Sequence, residues 1–226
     1  MLLSGHIESR AFAPLFCDAK MTRGFRRITG CGVNPPRPRE RIIATARDLF
    51  RRHGIRGIGV DAIAEAADTN KMTLYRHFAS KDELVAEYLR QSAKGADACW
   101  ERFKKLHPGD ELAQLRAWLR EMADHVANVD ERGCALANAA VELPEKSHPA
   151  RRVIEEYKTA LRMRLVQLSR DAGLNEPEML ADELHLLLEG ARVTAQSVGA
   201  DGLGARLVRM GEAIIAAHSS VRRKRV

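Results

Sequence analysis

The sequence predicts an all-α protein, with a small amino-terminal three-helix domain followed by a larger helical body. Three observations predict it. Apolar residues after Pro38 recur at spacings of three and four, the helical period. The segments so patterned are separated by Pro- and Gly-containing breaks, and none alternates as a half-buried strand would. With 45% hydrophobic, 30% charged and only 5% aromatic residues, the composition suits a soluble helical protein better than a sandwich or barrel.

Residues 1 to 38 carry Gly24, Gly30, Gly32 and the run Asn34-Pro35-Pro36-Arg37-Pro38 without sustained periodicity, and read as a flexible basic arm. Met21 is an alternative start. From residue 39 to 84 the pattern is that of a helix-turn-helix domain. Ile42, Ile43, Ala46, Leu49 and Phe50 share one face of a first helix that Gly54 ends. A short helix from Asp61 to Ala67 turns Ile63, Ala64 and Ala67 inward; a second, from Met72 to Phe78, turns Leu74 and Phe78 inward. Residues 85 to 218 continue the helical pattern, with helices expected at 81 to 106, 110 to 129, 133 to 142, 148 to 172, 177 to 198 and 203 to 218. Pro108-Gly109, Asp130 to Gly133, Pro144 to Pro149, Gly173 to Pro177 and Gly199 to Gly204 supply the breaks. Residues 219 to 226 form a basic tail.

The net charge of +7 is uneven: +3 over residues 1 to 36, +3 over 37 to 92, −3 over 93 to 218 and +4 over 219 to 226. Positive ends on a mildly acidic body suggest that one part of the molecule meets a polyanion, with a merely solvated surface as the competing reading. Cys17, Cys31, Cys99 and Cys134 are far apart and form no C-x-x-C pair, so neither a zinc ribbon nor a dithiol motif can be written from them. A reducing cytoplasm is the expected location. No stretch approaches the roughly 20 apolar residues of a membrane span, and no membrane partner, metal or cofactor is expected.

A short helix, a tight turn and a second short helix packed on a longer one make a shape whose second helix enters the DNA major groove. Asn70, Lys71, Thr73, Tyr75, Arg76 and His77 crowd that second helix and offer donors to phosphates and base edges. At these residues the chain resembles the TetR family of transcriptional regulators. The resemblance lies in Ile63-Ala64-Glu65-Ala66-Ala67, Lys71, Thr73-Leu74-Tyr75-Arg76-His77-Phe78 and Ser80-Lys81, with Ala46-Arg47-Asp48-Leu49-Phe50 and Gly54 upstream. It runs over about Glu40 to Leu89. Asp68 replaces the Gly usual in the family's turn, Thr69 replaces a hydrophobic residue, and Gly59 stands where a hydroxyl commonly caps the second helix. Asp tolerates the left-handed conformation that such a turn requires.

The resemblance implies that Lys71, Thr73, Tyr75, His77 and Lys81 meet double-stranded DNA. The competing readings pack Tyr75 and His77 against the arm or the first helix and leave Lys81 solvated; Met72 is read as packing. Arg23, Arg26, Arg27, Arg37 and Arg39 of the arm are candidates for phosphates or the minor groove, against an unengaged arm, and Arg222 to Arg225 are read likewise.

Beyond residue 90 the resemblance implies a helical effector-binding and dimerisation role. Helix 177 to 198 carries Leu180, Leu184, Leu186, Leu187, Leu188, Ala191, Val193, Ala195 and Val198, too wide an apolar surface for burial on one side. With 203 to 218 it is expected to build a homodimer whose symmetry matches a palindromic operator. Trp100, Phe103, Trp118, Met122, His125, Cys134, Asn138 and Tyr157 are candidate lining for an effector cavity, against plain packing for the aromatics and Met and an inert buried thiol for Cys134. An effector entering residues 100 to 160 would pivot the helix-turn-helix pair off DNA, making the protein a ligand-released repressor. A helical adaptor and an activator are the alternatives. Glu142, Glu189, His125 and His185 can be drawn as an acid-base set, yet no phosphate loop, nucleophile elbow or H-E-x-x-H motif accompanies them, and no enzyme is expected.

Overall fold

A computed structural model describes residues 36–128 and 133–219. The arm's Arg23, Arg26 and Arg27, Met21, Cys17, Cys31 and the Arg222 to Arg225 tail lie outside the described residues. Among those described there are nine helices and no strand: α1 Pro38–His53, α2 Val60–Ala66, α3 Lys71–His77, α4 Lys81–Leu106, α5 Glu111–Ala127, α6 Ala135–Glu142, α7 Pro149–Asp171, α8 Pro177–Val198 and α9 Leu203–His218. No described helix is long and apolar enough to cross a membrane.

Local chemistry sets the ends. Pro38 opens α1, and the Arg37 backbone N–H is taken up by Glu40 Oε2 at 3.2 Å. Asn70 Oδ1 accepts the Thr73 N–H at 2.8 Å, and Ser80 Oγ accepts the Glu83 N–H at 3.1 Å, so α3 and α4 each start on a side-chain cap. The turn between α2 and α3 passes through Asp68 at φ 50, the left-handed region. Its carbonyl is held by Arg41 Nη2 at 3.0 Å, tying the turn to α1.

Two hydrophobic cores organise the helices. One gathers Cys99, Trp100 and Phe103 of α4 with the inner faces of α5, α7, α8 and α9, among them Leu119, Leu165, Leu184 and Leu207. Gly211 lets α9 close on α5, where a Cβ would lie 2.5 Å from Leu119 Cδ2. The other core joins α1, α2 and α3 (Ile42, Ile63, Leu74, Phe78) to Leu84, Val85, Tyr88 and Leu89 of α4. It runs past residue 84 into the body, taking in Leu136 and Ala139 of α6 and Val153 and Ile154 of α7. The helix-turn-helix and α6 therefore share one packed unit.

Candidate nucleic-acid interface and effector cavity

α3 has seven residues, and its inward line is Leu74, fully buried, with Phe78 following it at 3% exposure. At about 100° per residue, positions two before and two after Leu74 point the opposite way. Met72 and Arg76 accordingly project outward, with Lys71, Tyr75 and His77 also exposed and Thr73 half-buried. Tyr75 is 42% exposed, so it is not packed into the interior.

Met72 corrects the packing expectation. At 74% exposure it stands at the centre of the outward face, because Leu74 and Phe78 claim the core side. Asn70 is engaged as the cap of α3 through its carbonyl oxygen. Lys71 Nζ lies 3.1 Å from Asp61 Oδ2, an exposed pair across the start of α2 that a phosphate can displace at little cost.

Lys81 is placed otherwise than expected. Its Nζ turns back to donate to the Ile55 carbonyl at 2.7 Å, and burial holds its pKa below the ordinary lysine value against the pull of Asp82 and Glu142. The Ile55 carbonyl lies in the α1–α2 loop, outside any helical ladder, and the ammonium satisfies it. Arg39 stays exposed but pairs within the fold, 3.2 Å from Glu87 and over the Phe78 ring at 5.2 Å.

The body holds a cavity of about 940 Å³ between α1, α4, α5, α6, α7 and α8. Met122, His125, Cys134, Asn138 and Tyr157 line it. Trp100, Phe103 and Trp118 do not, and this is a correction: they are 6%, 3% and 2% exposed inside the α4–α5–α7 core. Trp100 stands edge-on to Phe103 at 5.6 Å and stacks on Trp118 at 6.3 Å, so the three rings satisfy one another.

Glu142 and Glu189, drawn above only as members of an acid-base set, are the missed members. Glu142, the last residue of α6, accepts the backbone N–H of Ile55 at 2.6 Å and of Arg56 at 3.2 Å. Gly54 gives the carboxylate room, since a Cβ there would meet Glu142 Oε2 at 3.0 Å. Arg56 adds a 3.0 Å bridge to Glu145. Glu189 of α8 takes Lys158 Nζ at 2.6 Å and Arg192 Nη1 at 2.7 Å. None of these partners is within ten positions in sequence except Arg192, at i+3, which was the one local signal.

Residues 42–88, the stretch that builds the helix-turn-helix, match the family described as bacterial regulatory proteins, tetR family. A TetR-family transcriptional regulator from Streptomyces coelicolor has the same fold at TM-score 0.74 and 27% identity, over 81% of this chain and 96% of that one. The HTH-type transcriptional regulator YjdC of Escherichia coli is 26% identical over 153 residues, 67% of this chain and 80% of that protein. The HTH-type transcriptional repressor DhaR of a Mycobacterium species is 22% identical over 160 residues, 68% of this chain and 79% of its own length. With its motif on the outward face of α3 and these likenesses extending through the helical body, the chain carries the helix-turn-helix of the TetR family and shares the fold of its transcriptional regulators.

Proposed function

We propose that the protein is a homodimeric repressor whose paired α3 helices read a palindromic operator, and that an effector in the α4–α8 cavity releases it. The observation that carries the reading is the division of α3. One line of the helix is sunk in the core through Leu74, while Lys71, Met72, Tyr75, Arg76 and His77 present cations, a hydroxyl, an imidazole and an apolar tip outward. Lys and Arg on such a face meet phosphates and base edges, and Met72 fits a thymine methyl.

Dimerisation is supported by α8 and α9. Met179, Leu186 and Val193 recur every seven residues along α8 and are 54%, 72% and 65% exposed, and Met210 of α9 is 50% exposed. A second copy laid on these faces would bury them in the manner of a coiled-coil seam. Repression is supported by the relative named as a repressor. Release is supported by Glu142, which lies on the cavity wall and also holds the α1–α2 loop, so that a ligand pressing on α6 moves the helix-turn-helix. A ligand that favours one spacing of the two α3 helices over the other shifts the population accordingly.

Sedimentation at micromolar concentration is expected to give a dimer; a monomer contradicts the reading. Lys71→Ala and Tyr75→Ala are expected each to weaken binding to fragments from the gene's own upstream region by about tenfold or more, Lys71→Ala also lowering the salt slope by about 1. Unchanged affinities count against it. Deletion of the gene is expected to raise expression of its target, and a fall would make the protein an activator.

A further inference from the structure

The cavity wall holds a buried cation that, among the described residues, shares its one carboxylate partner with a second cation. The Arg192 side chain is 14% exposed; Nη1 donates to Glu189 Oε1 at 2.7 Å, while Nη2 meets, among the described residues, Met122 Sδ, a weak acceptor, at 3.7 Å. Glu189 Oε1 also receives Lys158 Nζ at 2.6 Å, so two cations share one carboxylate. His185, 3.8 Å from the same oxygen, adds no third charge, since burial and then Lys158 hold its pKa below the ordinary 6.5. Lys158 alone suffices to neutralise Glu189, so among the described residues this cluster carries one positive charge in excess.

Tyr157 lines the same space. Burial pushes its pKa up to about 12, so the phenol keeps its proton and can donate it in a hydrogen bond. Met122, Val126 and Leu136 make the adjoining lining apolar. A planar guanidinium with a spare edge matches a carboxylate bidentately, and one unit of excess charge calls for a monoanion. Arg47 and Arg51 of α1 also line the cavity, as does Glu142. Resting on the reading of this cavity as the effector site, we propose that its ligand is an amphipathic carboxylate, with the head on Arg192 and Tyr157 and the apolar body along Met122, Val126 and Leu136.

The test is calorimetric titration of the full-length protein, without DNA, with octanoate, decanoate and naphthoate and with the matching neutral alcohols. At least one acid is expected to bind about tenfold or more tightly than its alcohol. Arg192→Gln is expected to abolish that preference and Arg192→Lys to keep part of it. Alcohols binding as tightly as acids in the wild type, or an acid preference that survives Arg192→Gln, overturns the assignment while leaving an effector cavity. No binding by any probe overturns both. Acids that bind with the expected preference but leave DNA affinity unchanged support the carboxylate site and defeat ligand-linked release alone.

Discussion

The outward face of α3 and the wall of the cavity are stocked with similar groups, cations, hydroxyls, amides and a methionine, yet they are built in opposite ways. On α3 these side chains stand in solvent, and the helix is anchored by residues between them, Leu74 and then Phe78. In the cavity they are enclosed and anchor one another: Glu189 joins Lys158 to Arg192, and Glu142 holds the backbone of Ile55 and Arg56. An exposed cation keeps its hydration until a phosphate replaces it, so it can be removed with little effect on the fold. An enclosed one is part of the packing, and its removal leaves a partner unpaired.

The largest contrast should come within α3 itself. Leu74→Ala is expected to cost about 2–5 kcal/mol of stability by opening a cavity where α1, α2 and α3 meet, and to lose DNA binding with the fold. Arg76→Ala, two residues away, should leave the melting temperature within about a degree or two of wild type while weakening DNA binding by about tenfold. Equal loss of stability in the two variants, read by thermal unfolding, breaks the comparison.

Glu142→Ala tests the junction between the regions. It leaves the N–H of buried Ile55 without an acceptor and is expected to cost about 1–3 kcal/mol. It should also blunt the response of DNA binding to any cavity ligand, which a purely local role would not do. Lys81→Met removes the ammonium from the Ile55 carbonyl and is expected to cost about 1 kcal/mol, with a fall in DNA affinity no larger than the stability loss explains. An intact melting temperature with sharply reduced, salt-sensitive DNA binding would return Lys81 to the interface.

The smallest effect is one of pH. Burial alone would raise the Glu189 pKa, but the hydrogen bonds and charges of Lys158 and Arg192 outweigh it and hold the carboxyl below its ordinary 4.5. A carboxyl whose pKa is depressed on folding contributes fully above its unfolded pKa and loses that contribution as pH falls through the folded value. Denaturant titrations from neutral pH downward should therefore show Glu189→Gln with a shallower acid decline than wild type, and parallel declines would refute the pairing.

Most of the fold was legible in the sequence, because amphipathic helices announce themselves by a local period and end at Pro and Gly. Helix bounds fell within about two residues, and the Asp68 turn was recognisable from the tolerance of Asp for positive φ. The outward residues of α3 were legible for the same reason, and Met72 was misjudged only because a general habit of methionine was preferred to the helical geometry around Leu74. The cavity was much less so. Trp100, Phe103 and Trp118 have the chemistry of a ligand site but find one another instead, and no local pattern distinguishes an aromatic that lines a cavity from one that fills a core. Glu142 and Lys81 meet the α1–α2 loop across 87 and 26 positions, separations over which a single sequence carries no signal.

The central claim is that the exposed side chains of α3 read DNA as a symmetric pair, and selection of duplexes from a random pool tests it most directly. Wild-type protein is predicted to enrich an inverted repeat whose half-sites are centred about 10 base pairs, or a multiple, apart, and the Lys71→Ala/Tyr75→Ala/Arg76→Ala variant, folded as well as wild type, to enrich nothing. Enrichment of the same sequence by both proteins, or of none by the wild type, would contradict it.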